Sequence, residues 1–226
     1  MDEIDKAVRE IDKHTKKVLA QDPSILSFWS RYFSSRKEAS KFIKDCLKKL
    51  STRRMMLRVE WYVNIANKMP IIRDSRPALQ IIFLIALAEG LASKRFTKKQ
   101  AIELGSQKLV LNFFKYITDL DKKELEMKFR RALTQERHHK LYTSSIIRII
   151  YQIRNDAVHG KDFWGFSLVD KKRHKDADEP HWSLMTSGQL GTIKRKRRVS
   201  LETKLTYENL RDIFVRTAIQ NIKSEF

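Results

Sequence analysis

Residues 77–92 read Pro-Ala-Leu-Gln-Ile-Ile-Phe-Leu-Ile-Ala-Leu-Ala-Glu-Gly-Leu-Ala. Leu79, Ile81, Ile82, Phe83, Leu84, Ile85 and Leu87 point in all directions around a helix, so the stretch predicts a helix enclosed on every side. A bilayer span needs about 20 apolar residues, and this run is shorter and carries Gln80 and Glu89. It is therefore expected at the centre of a fold made mostly of helices. Asp74 or Ser75 can cap it, and Pro77 is tolerated in its first turn.

Toward the N-terminus, Ile4, Val8, Ile11, Thr15, Val18 and Leu19 mark one face of a first helix, which Asp22-Pro23 stops. A short aromatic stretch with Phe28, Trp29, Tyr32 and Phe33 follows. Ser35 with Glu38 has the form of a capping box, opening an amphipathic helix expected to reach Asn67 before Met69-Pro70 ends it. Toward the C-terminus, Thr97 caps a helix through about Tyr116, and Asp119 or Asp121 opens a shorter one through Leu133. Thr143 or Ser144 starts an isoleucine-rich helix that should end near His159, because Gly160 suits the left-handed position beyond a helix.

After Gly160 the texture changes to Phe163-Trp164-Gly165-Phe166, a charged run from Asp170 to Glu179, and then Gly188 and Gly191. His181 to Met185 and Val199 to Leu205 favour strands, so a small β-hairpin insertion is expected within about 163–205. Thr206 caps a final helix bearing Leu210, Ile213, Phe214, Ala218 and Ile222. The expected fold is mainly α: a helical extension over 1–70, then a bundle over 71–226 interrupted by the insertion at about 162–205.

The 226 residues suffice for a sizeable core, and 42% of them are hydrophobic. Charged residues make up 33%, with 47 Lys and Arg against 27 Asp and Glu, for a net charge of +20. Such an excess captures polyanions, so nucleic acid is the first partner to consider; a membrane surface or a bland solvated face shares the same attraction. Met1 to Lys6 shows no secretory pattern, and a cytoplasmic location is expected. Cys46 is the only cysteine, which excludes an internal disulfide and a multi-thiolate zinc site. The six histidines form no ligand spacing, so neither metal nor cofactor is expected.

The segment Tyr151-Gln152-Ile153-Arg154-Asn155-Asp156-Ala157-Val158-His159-Gly160 combines unlike chemistries. Ile146, Ile150, Ile153 and Ala157 share a face that can bury, with Arg154 projecting beside it and His159 at the helix end. Histidine moves protons near neutral pH, and arginine offers a permanent fork to phosphate oxygens gaining charge. RNA supplies its own nucleophile in the 2′-hydroxyl, so its cleavage requires a base and an acid but no metal. A surface ion pair or a C-terminal helix cap is the alternative reading of the same two residues. The run Arg9 to His14 repeats the Arg/His spacing on a charged surface helix, without the apolar face or the glycine.

Arg154-Asn155-Asp156-Ala157-Val158-His159 resembles the Arg-polar-x-x-x-His signature of the HEPN family (higher eukaryotes and prokaryotes nucleotide-binding), helical bundles that include RNases of toxin-antitoxin and antiviral defence systems. The resemblance implies a bundle of helices at about 75–94, 97–116, 143–159 and 206–224. It implies a homodimer with one composite, metal-independent endoribonuclease site, Arg154 and His159 as catalytic residues and Asn155 as the polar positioning residue. Glu89 would be a supporting partner of Arg154, and an antitoxin or defence-system partner is a further expectation. Members regulated by nucleotidylation carry a tyrosine two residues after the histidine; Lys161 stands there, so that regulation is not implied.

Lys194-Arg195-Lys196-Arg197-Arg198 is a second candidate, for RNA contact together with Lys161, because five adjacent cations repel one another unless neutralised. A solvated hairpin edge or a nuclear-import signal is the alternative. His138-His139 reads as a basic loop rather than a metal site. Trp164 and Phe166 are the aromatics best placed in sequence to stack a base, whereas Trp29, Trp61 and Trp182 read as core. Two functions remain open: a metal-independent endoribonuclease acting on single-stranded RNA, or an inactive helical module that binds RNA or serves assembly.

Overall fold

The computed structural model describes residues 2–72, 77–132, 141–158, 200–203 and 205–226. Helices dominate them, and contacts group the chain into two compact units, 1–60 with 222–226, and 61–221. Among the described residues no helix is long and apolar enough to cross a membrane.

In the first unit, α1 (Asp2–Gln21) ends where Asp22 becomes extended, at φ −68° and ψ 115°, and its carboxylate accepts from the Ser24 amide at 2.8 Å. That cap starts α2 (Pro23–Ser30), so the aromatic stretch is itself helical. Trp29 is buried, with Phe28 against it edge-on at 5.0 Å and Phe42 at 5.0 Å. Ser35 caps α3 (Arg36–Lys48) by accepting the Glu38 amide, while the Glu38 carboxylate accepts from the Ser34 hydroxyl.

The single long helix expected from Ser35 to Asn67 is two helices. Lys49 adopts an extended conformation, at φ −114° and ψ 140°, between α3 and α4 (Leu50–Ile72). The break is held by the Thr52 hydroxyl, which donates to the Cys46 carbonyl at 2.7 Å, and by Lys49 Nζ, which donates to the Glu225 carbonyl at 2.5 Å. These bonds join groups that apolar periodicity cannot register. Met69-Pro70 does not end α4, which continues to Ile72.

The second unit contains the rest of α4 from Trp61, α5 (Pro77–Ala92), α6 (Lys98–Phe113), α7 (Asp119–Lys128), α8 (Thr143–Val158) and α9 (Tyr207–Lys223) through Asn221. Ile81, Leu84, Ile85, Leu87, Ala88 and Leu91 of α5 are fully buried, and α5 packs on both α6 and α8. Gln80, the polar residue near its start, is satisfied by donating to the Ala66 carbonyl at 3.3 Å. Thr97 and Gln100 make a reciprocal capping box at the start of α6, and Thr118 caps α7 by accepting the Asp121 amide. Thr206 caps α9, and Phe214 sits edge-on to Phe114 at 4.9 Å. Buried Asp121 receives Arg216, tying α7 to α9.

The strand expectations need correction. No β-hairpin occurs among the described residues. Instead β1 (Phe129–Ala132) pairs antiparallel with β2 (Ser200–Thr203), setting Phe129 opposite Thr203 and Ala132 opposite Ser200. The helix expected to reach Leu133 stops at Lys128, where Phe129 turns extended and buries. Strand signals do reside near 199–205, but the partner is remote in sequence and lies before residue 140, where only helix and loop were expected. A run of charged and apolar residues such as 119–133 fits helical spacing; tertiary pairing overrides it. Residues 162–199, which include the other expected strand at 181–185, lie outside the described residues.

Candidate functional site

The site is built at the C-terminal end of α8. The amide and hydroxyl of Thr143 both donate to Glu126 Oε1, at 2.9 and 2.8 Å, which fixes the start of α8 to α7. Ile146, Ile147, Ile149, Ile150 and Ile153 are buried, as α8 packs on α5 and α6. That face sets the rotation of the helix and leaves Arg154 beside the core, partly covered, with its guanidinium turned to Glu89 of α5.

Three groups surround the guanidinium. Arg154 Nη1 donates to Asn155 Oδ1 at 2.9 Å, Nη2 lies 3.6 Å from Glu89 Oε1, and Cζ is 5.8 Å from the centre of the Tyr151 ring. Glu89 Oε1 and Arg154 Nε are buried and make no hydrogen bond among the described residues. The planar fork is thus fixed along two edges without being saturated, an arrangement suited to receiving phosphate oxygens.

Glu89 is braced from its other side by Ser106 of α6. Immediately before Ser106, α6 kinks at Gly105, with φ 71° and ψ 159°, a backbone region open to glycine and strained for other residues. A Cβ there would meet nothing within 4 Å, so the requirement for glycine is conformational rather than steric. Neither Gly105 nor Ser106 has a signal in the sequence beyond an isolated glycine in a helical pattern.

Burial pushes the Glu89 carboxyl above the ordinary carboxylate range, with the Arg154 charge and the Ser106 hydrogen bond holding it back. The folded chain therefore holds this proton more tightly than the unfolded chain does. Its contribution to stability is complete below the ordinary carboxylate value and is lost as pH rises through the raised one. Glu89→Gln should remove that component: across the window just above the ordinary carboxylate range, its Tm should fall less with rising pH than that of the unmodified chain. Parallel Tm curves for the two proteins would refute the assigned shift.

Of the residues singled out in the sequence, Arg154, Asn155 and Glu89 come together, although Glu89 belongs to a helix far away in the chain. His159, Lys161 and the run Lys194, Arg195, Lys196, Arg197 and Arg198 lie outside the described residues, as do His138, His139, Phe163, Trp164, Phe166 and Trp182. Trp29 is core, whereas Trp61, expected to be core, is exposed. No group of three or more His, Cys, Asp or Glu side chains able to hold a metal occurs among the described residues. No protein family, characterised protein or solved structure matches the chain.

Proposed function

We propose that the chain is a HEPN-like endoribonuclease, a toxin or phage-defence effector that cuts single-stranded RNA without a metal. The observation that carries this reading is the Arg154 guanidinium, held by Asn155 and Glu89 at the end of α8, next in sequence to a histidine. In the proposed reaction the 2′-hydroxyl attacks the adjacent phosphorus, and the 5′-oxygen leaves as the P–O bond breaks. One His159 takes the 2′-hydroxyl proton, a second supplies a proton to the leaving oxygen, and Arg154 stabilises the charge growing on the phosphoryl oxygens. Each chain offers one such histidine, so a two-fold pair of chains supplies the acid and the base together.

The four helices at 77–92, 98–113, 143–158 and 207–221 belong to one unit, which supports the resemblance at the level of element order. A net charge of +20 supports an RNA partner. The second reading, an inactive RNA-binding or assembly module, draws on the same ion pair: Glu89 occupies one edge of the guanidinium and could serve stability alone.

Labelled single-stranded RNA incubated in excess chelator separates the two. Cleavage should persist, and mixing Arg154→Ala with His159→Ala chains should restore part of the activity that each has lost. Cleavage that stops in chelator and returns with magnesium would overturn the mechanism. For the basic run, exchanging Lys194, Arg195 and Lys196 for neutral residues should weaken binding to all RNA sequences alike and flatten its salt dependence, since fewer counterions are released. Unchanged affinity at low salt would make the run a solvated edge.

A further inference from the structure

Helix α1 buries little of its apolar side. Ile4, Val8, Ile11 and Val18 are 72, 58, 66 and 50% exposed, and Thr15, in line with them, is exposed too. The helix rests on α3 through a neighbouring face, where Asp12, Lys16 and Leu19 are half-buried and Arg53 donates to Asp12 at 2.6 Å. The apolar side is thus directed away from the packing that holds α1 in its unit.

The spacing of the open residues says what shape of partner fits. Positions 4, 8, 11, 15 and 18 alternate steps of four and three, the strict 3.5-residue seam by which one helix pairs with another. A helix lying on a globular core shows a broader stripe. Charge then narrows the partner. Asp2, Glu3, Asp5, Glu10 and Asp12 balance Lys6, Arg9, Lys13, Lys16 and Lys17, so α1 is neutral in a chain of net charge +20. Anionic lipid and nucleic acid gain nothing from a neutral helix, since helices that lie on membranes carry a basic polar face.

The same charges are sorted along the helix, with no acidic residue after Asp12. On the flank of the seam away from α3, Glu3 and Glu10 precede His14 and Lys17. A second α1 running antiparallel brings the acidic half of each copy to the basic half of the other. We propose that α1 is a self-association surface: two copies of the chain pair antiparallel along Ile4, Val8, Ile11, Thr15 and Val18, with Glu3 of each facing Lys17 of its partner. This pairing does not rest on the cleavage reading.

Sedimentation of the full chain over a range of concentrations tests it. Wild type should dimerise reversibly, and Val8→Glu with Ile11→Glu should weaken the dimer by about a hundredfold or more, because each buried charge would lack a partner. Helical circular dichroism and Tm should stay close to wild type, since those side chains are exposed in the single chain. Glu3→Lys and Lys17→Glu should each weaken the dimer, and the double exchange should restore it; a parallel pair would not be restored. A wild type that stays monomeric, or a dimer indifferent to Val8→Glu with Ile11→Glu, would overturn the proposal. So would seam-dependent binding to phosphatidylserine vesicles by a chain that does not self-associate, which would assign the face to lipid.

Discussion

His159→Ala is expected to lower RNA cleavage by about a hundredfold or more while leaving RNA affinity nearly intact, because general acid-base catalysis contributes that much and the imidazole adds little to ground-state binding. Arg154→Ala should remove most activity and also weaken binding, as its charge meets phosphate in the ground state as well as in the transition state. Arg154→Lys should rescue little. An ammonium lacks the fork that Asn155 and Glu89 hold in place, and at this site orientation is what the structure provides. His14→Ala is the control, since His14 is exposed on α1 and should be nearly silent. Rates from a labelled RNA, with binding measured separately, check all four. Wild-type activity in His159→Ala would leave the binding-module reading ahead.

The second large effect is on stability. Leu84→Ala should cost roughly 2–5 kcal/mol, the range for large-to-small changes at sites that cannot collapse. Leu84 is fully buried on a helix packed by α6 and α8 together, so a cavity there has neighbours on several sides. Ile82→Ala should cost clearly less, because Ile82 is only half-buried. Urea unfolding of the two variants measures the difference. Equal losses would contradict the central placement of the Leu84 face.

That contrast shows how far the sequence could be read. The run 77–92 announced a buried helix because apolar residues fill every direction, yet periodicity alone could not rank Leu84 above Ile82; the ranking depends on where α6 and α8 lie. Caps were legible where the side chain and its amide are neighbours, as at Asp22, Ser35, Thr97 and Thr206. Breaks and pairings set by remote partners were not. Lys49 interrupts an unbroken helical pattern because Thr52 and Glu225 hold it, and β1 takes residues of helical spacing because β2 pairs with it from far along the chain.

The candidate site divides in the same way. Arg154 and Asn155 were visible as a local motif, and Glu89 as an unexpected carboxylate in an apolar helix. Ser106 and the kink at Gly105 could not be found, because a serine and a glycine in a helical pattern say nothing about a carboxylate two helices away until α5 and α6 are packed. Gly105 illustrates the point further, for its positive φ is required by the path of α6 and by no contact of its own.

The central claim is that Arg154 and His159 direct the RNA's own 2′-hydroxyl onto its phosphorus. It is tested most directly by cutting two labelled strands of one sequence in excess chelator, one all-ribose and one with the 2′-hydroxyls replaced by hydrogen. The account predicts that only the ribose strand is cut and that its 5′ fragments end in a 2′,3′-cyclic phosphate. Cleavage of the deoxy strand, or fragments from the ribose strand ending in a free 3′-hydroxyl, would contradict it.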